Sequence, residues 1–104
     1  MKSDNPTKHY WLYVLLLNEN KYYIGKTSRK DPYDRIDQHL HKFYSAQWVK
    51  KYGFLDVKEV IDLGQISHKQ SVELEQERTL QYMKKYGRNN VRGGTLNYSG
   101  KYVK

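Results

Sequence analysis

A small α+β domain, built on one three-stranded antiparallel or mixed sheet flanked by helices, is what this sequence predicts. Three observations predict it. An unbroken apolar run, Tyr10 to Leu17, is followed at once by turn residues and a second short apolar run. Two later segments carry helical spacing with start and stop signals. Between those segments, Asp56 to Asp62 alternates apolar and polar residues, the pattern of a half-buried strand. A hairpin, helices, one strand and a long helix in that order favour α+β over a doubly wound parallel sheet.

Each element has its own local logic. "YWLYVLLL", Tyr10 to Leu17, is apolar on both faces and too short for a typical helix, so it reads as a buried strand. "NEN", Asn18 to Asn20, is turn chemistry, because asparagine tolerates a left-handed backbone. "KYYIG" then returns as the second strand of a hairpin. In "KDPYDRIDQHLHKF", Asp31 is a good N-cap, Pro32 fits the first helical position and Asp34 is a favourable first-turn anion. Ile36, Leu40 and Phe43 recur at i, i+4 and i+7 and should face the core. Ser45 to Gly53 predicts a second, short helix ending at the glycine. Ser67 with Gln70 has the form of a capping box for a helix from about His68 to Tyr86, closed by Gly87. The glycine-rich, basic tail from Arg88 predicts a loop with at most a short element.

Length and composition bound the function. The chain has 104 residues, enough for one compact domain, so residues 9–104 are expected to form it behind a polar, mobile segment 1–8. It contains no cysteine, which excludes disulfides and thiolate zinc sites. The opening "MKSDNPTKHY" lacks the apolar run of a signal peptide and nothing reaches membrane-spanning length, so an intracellular protein without membrane partners is expected. Nineteen Lys and Arg against eleven Asp and Glu give a net charge of +8. The last acid is Glu77, and seven cations follow it. A field of that sign attracts polyanions, with nucleic acid the foremost partner.

Three features carry chemistry, and a fourth is set aside first. "GKT", Gly25 to Thr27, is not a phosphate-binding P-loop: Asn20 stands where the earlier glycine belongs, and no helix signal appears until Asp31. With a three-residue loop, Leu17 pairs with Lys21, Leu15 with Tyr23 and Tyr13 with Gly25, so Tyr13, Tyr23 and Gly25 share one face. Two phenols then flank a position with no side chain, a gap able to admit a phosphate backbone. A loop of two or four residues would instead send Tyr13 to the opposite face. Arg35 and His39, spaced i, i+4, project together from the first helix. A guanidinium suits a phosphate, and an imidazole can exchange a proton. On the long helix, Val72, Glu75, Thr79, Met83 and Tyr86 form one stripe, while Glu77 lies on the wet side and Glu73 between them. Glu75 therefore interrupts an inward face, where a bare carboxylate is costly unless a metal ion or a cation such as Arg35 compensates it.

Together these residues resemble the GIY-YIG nuclease family. "YIG" stands intact at Tyr23 to Gly25, and "WLY", Trp11 to Tyr13, occupies the first half of the motif. Arg35 follows ten residues after Gly25, with His39 one turn on, Glu75 on a later helix and Asn90 in "NNVRGG". The resemblance runs from about Tyr10 to Gly94. It departs from the family at Trp11, where a glycine is usual, and at Leu12, where an isoleucine is usual. The resemblance implies a metal-dependent endonuclease that hydrolyses DNA phosphodiesters. Glu75 would hold Mg²⁺ or Mn²⁺, Tyr13 or Tyr23 would act as general base, Arg35 would clamp the phosphate and His39 would assist with protons. Lys26, Arg35 and the metal are expected to lower the phenol pKa. Gly25, Lys26, Asn90 and Arg92 are assigned to substrate binding. The alternative is a nucleic-acid-binding module of the same fold that does not cleave. With almost every residue committed to the domain, specificity would come from DNA structure, a second copy or a protein partner. Tyr98 and Tyr102, set among cations, raise the option of single-strand contact.

Overall fold

The structure, a computed structural model, describes residues 6–40 and 46–94. Its sheet has four strands in the order β3-β1-β2-β4. The hairpin is β1 (Thr7–Leu17) and β2 (Lys21–Thr27), joined by a single turn at Asn18–Asn20 in which Glu19 and Asn20 adopt φ 62° and 57°. Its register matches the expected one: Leu17 faces Lys21, Leu15 faces Tyr23 and Tyr13 faces Gly25. Strand β1 starts at Thr7, earlier than its apolar run, because Thr7 and Lys8 pair with Ser67 and Ile66.

Helix α1 (Pro32–Leu40) opens on Asp31, whose Oδ1 accepts the Tyr33 amide at 2.9 Å. Helix α2 (Gln47–Tyr52) closes at Gly53. Both expected capping-box bonds of α3 (His68–Tyr86) are present, and Gly87 ends it. Strand β3 (Phe54–Ser67) is fourteen residues long and antiparallel to β1, with register shifts at three places. The irregularities at Leu55 and Leu63 break the alternation on either side of residues 56–62, which hid its length.

The three-stranded expectation is corrected by β4 (Val91–Gly93), which runs parallel to β2 and pairs Tyr22 with Val91 and Ile24 with Gly93. Three residues, one of them arginine and one glycine, carry no strand periodicity. Their pairing is settled by tertiary packing alone. The expected core residue Phe43, the side chain of Leu40, the start of α2 at Ser45 and the tail residues Tyr98 and Tyr102 lie outside the described residues.

Helices cover both faces of the sheet. Leu12, Val14, Tyr22 and Ile24 pack beneath Tyr82 and Met83 of α3. Tyr13, Leu15, Leu17 and Tyr23 pack against Ile36 of α1 and Trp48 and Val49 of α2. The Trp48 indole N–H donates to the Tyr22 carbonyl at 3.0 Å, which ties α2 to the central hairpin. No helix among the described residues is long and apolar enough to cross a membrane.

Helix α3 lies unusually close to the edge strand. A Cβ placed on Gly93 would sit 2.6 Å from the Ile24 carbonyl oxygen and 2.7 Å from Thr79 Oγ1. Neither a backbone oxygen nor a buried threonine, itself bonded to the Glu75 carbonyl at 2.8 Å, can step aside cheaply. Gly93→Ala is therefore expected to cost about 1–3 kcal/mol of stability, the usual range for an overpacked core. Thermal melts of the variant check this outcome, and an unshifted melting temperature would contradict the packing argument.

Candidate active site

The site is assembled from three directions. Strand pairing puts Tyr13 and Tyr23 on the face covered by α1 and α2, and both phenols are buried. The space above Gly25 is taken by the Tyr13 ring: an added Cβ there would stand 2.4 Å from Tyr13 Cζ and Oη. This corrects the expectation of an open gap for a phosphate backbone. Gly25 is needed because the phenol of Tyr13 lies across it.

From the second direction, α1 delivers His39 and Arg35. His39 is fully buried, and its Nε2 lies 2.9 Å from Tyr13 Oη. Its ring centroid is 5.6 Å from that of Tyr13 and 5.4 Å from that of Tyr23, so the imidazole is wedged between the two phenols. The Arg35 guanidinium bonds the Tyr13 hydroxyl and also donates to Gln38 Oε1 at 3.0 Å. Gln38 stands one turn from Arg35 on the same helix, where i, i+3 side chains meet. Its oxygen also accepts from Arg29 at 3.4 Å and so links Arg35 to the loop after β2.

The third direction is α3. Glu75 is buried, whereas Glu73 and Glu77 are exposed, as the inward stripe predicts. It lies beside the end of β4, where a Cβ on Gly94 would stand 3.7 Å from Glu75 Cγ. The Gly94 amide donates to the Glu75 carboxylate, and the charge of Glu75 acts on both Tyr13 and Tyr23. The Gly-Gly pair was the available sequence signal for this approach, read only as tail composition.

Electrostatics follow from burial. The Tyr13 hydroxyl is lifted well above the ordinary phenol range by desolvation, reinforced by Tyr23 and Glu75 and opposed by Arg35. Tyr23 is pushed up to about 12 by desolvation and by Glu75, again against Arg35. The protein's own groups therefore acidify neither phenol, because burial outweighs the one guanidinium beside them. Lys26 acts on Glu75 instead, on the α3 side of the sheet, with its ammonium 5.7 Å from the Tyr10 ring. Glu75 itself is raised by desolvation, with Lys26 and the Gly94 amide only partly offsetting it.

That imbalance is the test of whether a metal fits here. No group of three or more acidic, histidine or cysteine side chains occurs among the described residues, so no all-protein cage is present. A single buried carboxylate short of positive charge suits a hard divalent cation that keeps most of its waters.

His39 is held down at about 4 by desolvation first and by Arg35 second. Its folded pKa lies below the unfolded value, so its contribution to stability is fully present above about pH 6.5 and is lost as pH falls toward 4. The full effect is on the order of 3 kcal/mol at most. Melting temperature measured from pH 7 to 4 should fall more steeply for the wild type than for His39→Gln. Parallel curves would show that His39 is not a buried neutral imidazole.

Two residues assigned to substrate are engaged within the fold. Arg92 is fully buried, donates to the carbonyls of Arg88 and Val91 at 2.8 and 2.7 Å, and stacks 4.3 Å from the Trp48 ring centre. It is a brace between β4 and α2. Asn90 accepts from Lys21 Nζ at 2.7 Å and donates to the Tyr86 carbonyl at 2.7 Å. Lys21 begins β2, about 13 Å of strand from Gly25, so Asn90 fastens the far end of the sheet to α3. The cavity of about 390 Å³ walled by Lys58, Arg78, Lys85 and Tyr86 is also remote, lying under the second half of α3.

The GIY-YIG catalytic domain model matches residues 9–92, from β1 through β4. Neither a curated protein nor a solved structure matches the chain. Domains of this kind are nucleases that act on DNA and generally depend on a divalent metal. With four-fifths of its length matched, and a mixed sheet flanked by helices that agrees with that fold, this chain belongs to the GIY-YIG family.

Proposed function

We propose that the protein is a metal-dependent DNA endonuclease whose catalytic residues are Tyr13, Tyr23, Arg35, His39 and Glu75. The observation that carries the reading is their convergence. Tyr13 bonds His39 directly, and the charges of Arg35 from α1 and Glu75 from α3, distant in sequence, both act on the buried phenols of β1 and β2.

Glu75 would hold Mg²⁺ or Mn²⁺, which when bound supplies positive charge to the scissile phosphate and its leaving oxygen. Arg35, fixed by Gln38, binds the phosphate and stabilises its developing charge. A buried phenol this basic would not stand free as a phenolate at neutral pH. Tyr13 works as a relay: its Oη takes a proton from the attacking water while its own proton passes to His39 Nε2. Burial and Arg35 keep the imidazole neutral and a weak base, and in the tautomer with its own proton on Nδ1 its Nε2 can accept the relayed one. The water oxygen bonds to phosphorus, the bond to the leaving oxygen breaks, and that oxygen takes a proton from solvent. Tyr23, beside the same imidazole, orients the water and phosphate, and Lys26 balances Glu75.

Supercoiled plasmid tests the reading. Nicking with Mg²⁺ that stops in EDTA is expected, together with loss of at least about a hundredfold in Arg35→Ala. Salt-sensitive DNA binding without any nicking in either ion would instead identify a binding module of this fold.

A further inference from the structure

A second feature lies on the catalytic face and plays no part in that chemistry. Trp11 stands two residues before Tyr13 on β1, so its side chain points to the same face about 6.6 Å away. It also marks the departure of this chain from the family motif. With His9, Ser28, Arg29 and Lys30 it walls a cavity of about 260 Å³. The His9 ring lies 5.0 Å from the indole, and His9 Nε2 is 2.6 Å from Asp62 Oδ1. None of the described residues lining the cavity is acidic, and Asp62 is engaged with His9. Arg29 shares the Gln38 oxygen with Arg35, which ties one wall of this cavity to the arginine proposed to bind the phosphate.

We propose that this cavity is a nucleotide subsite beside the scissile phosphate, in which an unpaired base packs on Trp11 while the adjoining phosphate meets Arg29 and Lys30. The inference rests on the nuclease reading above. Its parts match the chemistry of single-stranded nucleic acid: one aromatic plane, two cations on an exposed loop and room for a single ring system. A base inside a duplex has both faces covered by its neighbours and offers only edges. The subsite therefore selects DNA that is single-stranded, frayed or branched at the nucleotide next to the cut.

The test uses oligonucleotides of known cut position in which each nucleotide flanking the cut is replaced, one at a time, by an abasic residue. Stacking on an aromatic ring predicts that Trp11→Ala raises KM about 5- to 150-fold with little change in kcat, and that Trp11→Phe recovers most of the loss. One abasic position should produce the same loss in the wild type and no further loss in Trp11→Ala. A binding arm reads the subsite without cleavage. Single-stranded oligonucleotide in EDTA should quench tryptophan fluorescence in the wild type but not in Trp11→Phe, because Trp48 is only 2% exposed. Normal cleavage with an unchanged KM in Trp11→Ala and no quenching would overturn the subsite and leave the nuclease standing. Quenching with an abasic-sensitive affinity but no cleavage by the wild type would do the reverse.

Discussion

Glu75→Gln is expected to lower DNA cleavage at least about a thousandfold while making the metal-free protein more resistant to heat. The first effect follows from the charge that a carboxylate-held cation brings to the phosphate. That charge contributes several kcal/mol, and about 4 kcal/mol corresponds to a factor of about a thousand. The second effect follows from the sign of the shift at Glu75. Burial raises its folded pKa, so the folded protein holds this proton more tightly than the unfolded chain does. Stability then declines as pH rises from about 4.5 through the raised value, and above that window the buried charge is a constant penalty. Glutamine keeps the shape and carries no charge, so the penalty disappears. Adding Mg²⁺ should stabilise the wild type by mass action and leave the variant unmoved. Melting curves at pH 7 in EDTA and in Mg²⁺, beside plasmid nicking, check all three statements. A variant that melts earlier than the wild type in EDTA would show that Lys26 and the Gly94 amide already satisfy the carboxylate, and the argument for a metal at Glu75 would fall.

Much of this site was readable from the chain because local rules fixed the critical geometry. The three-residue turn at Asn18–Asn20 dictated the register, and the register placed Tyr13, Tyr23 and Gly25 together. The capping box at Ser67 set the phase of α3, and that phase separated Glu75 from Glu73 and Glu77. What stayed hidden depends on contacts between distant segments. Strand β4 exists because Val91 and Gly93 fit between β2 and α3, which no periodicity in three residues can announce. Arg92 looks like a phosphate ligand in a basic tail, and only the Trp48 ring and two carbonyls show why it is buried. The role of Gly25 turned on a rotamer. Its shared face with Tyr13 was foreseeable, but the direction in which that ring folds was not. The pKa values could not be read either, since desolvation depends on what α1 and α2 cover.

The two tyrosines, indistinguishable by sequence, separate by their partners, and Tyr13→Phe should cost more than Tyr23→Phe. A proton relay needs an acceptor behind the hydroxyl. Tyr13 has His39 Nε2 at 2.9 Å, whereas Tyr23 contacts the same imidazole ring to ring. Removing the Tyr13 oxygen should therefore lower kcat by about 10²- to 10⁴-fold, the range for a lost general base, and flatten its dependence on pH. Tyr23→Phe removes only an orienting hydroxyl and should cost less, with more of its effect in KM. His39→Gln should resemble Tyr13→Phe, because a relay fails equally at either end, and the double variant should be no worse than the single ones. Gly25→Ala supplies an independent approach. Its methyl would occupy the position of the Tyr13 ring, pushing the phenol off His39 without deleting an oxygen, and cleavage should fall comparably. Steady-state kinetics on one oligonucleotide across pH 6 to 9 distinguishes these variants. A larger loss of kcat in Tyr23→Phe, with Tyr13→Phe and Gly25→Ala near wild type, would move the proton-accepting role to Tyr23 and reduce the Tyr13–His39 contact to a packing bond.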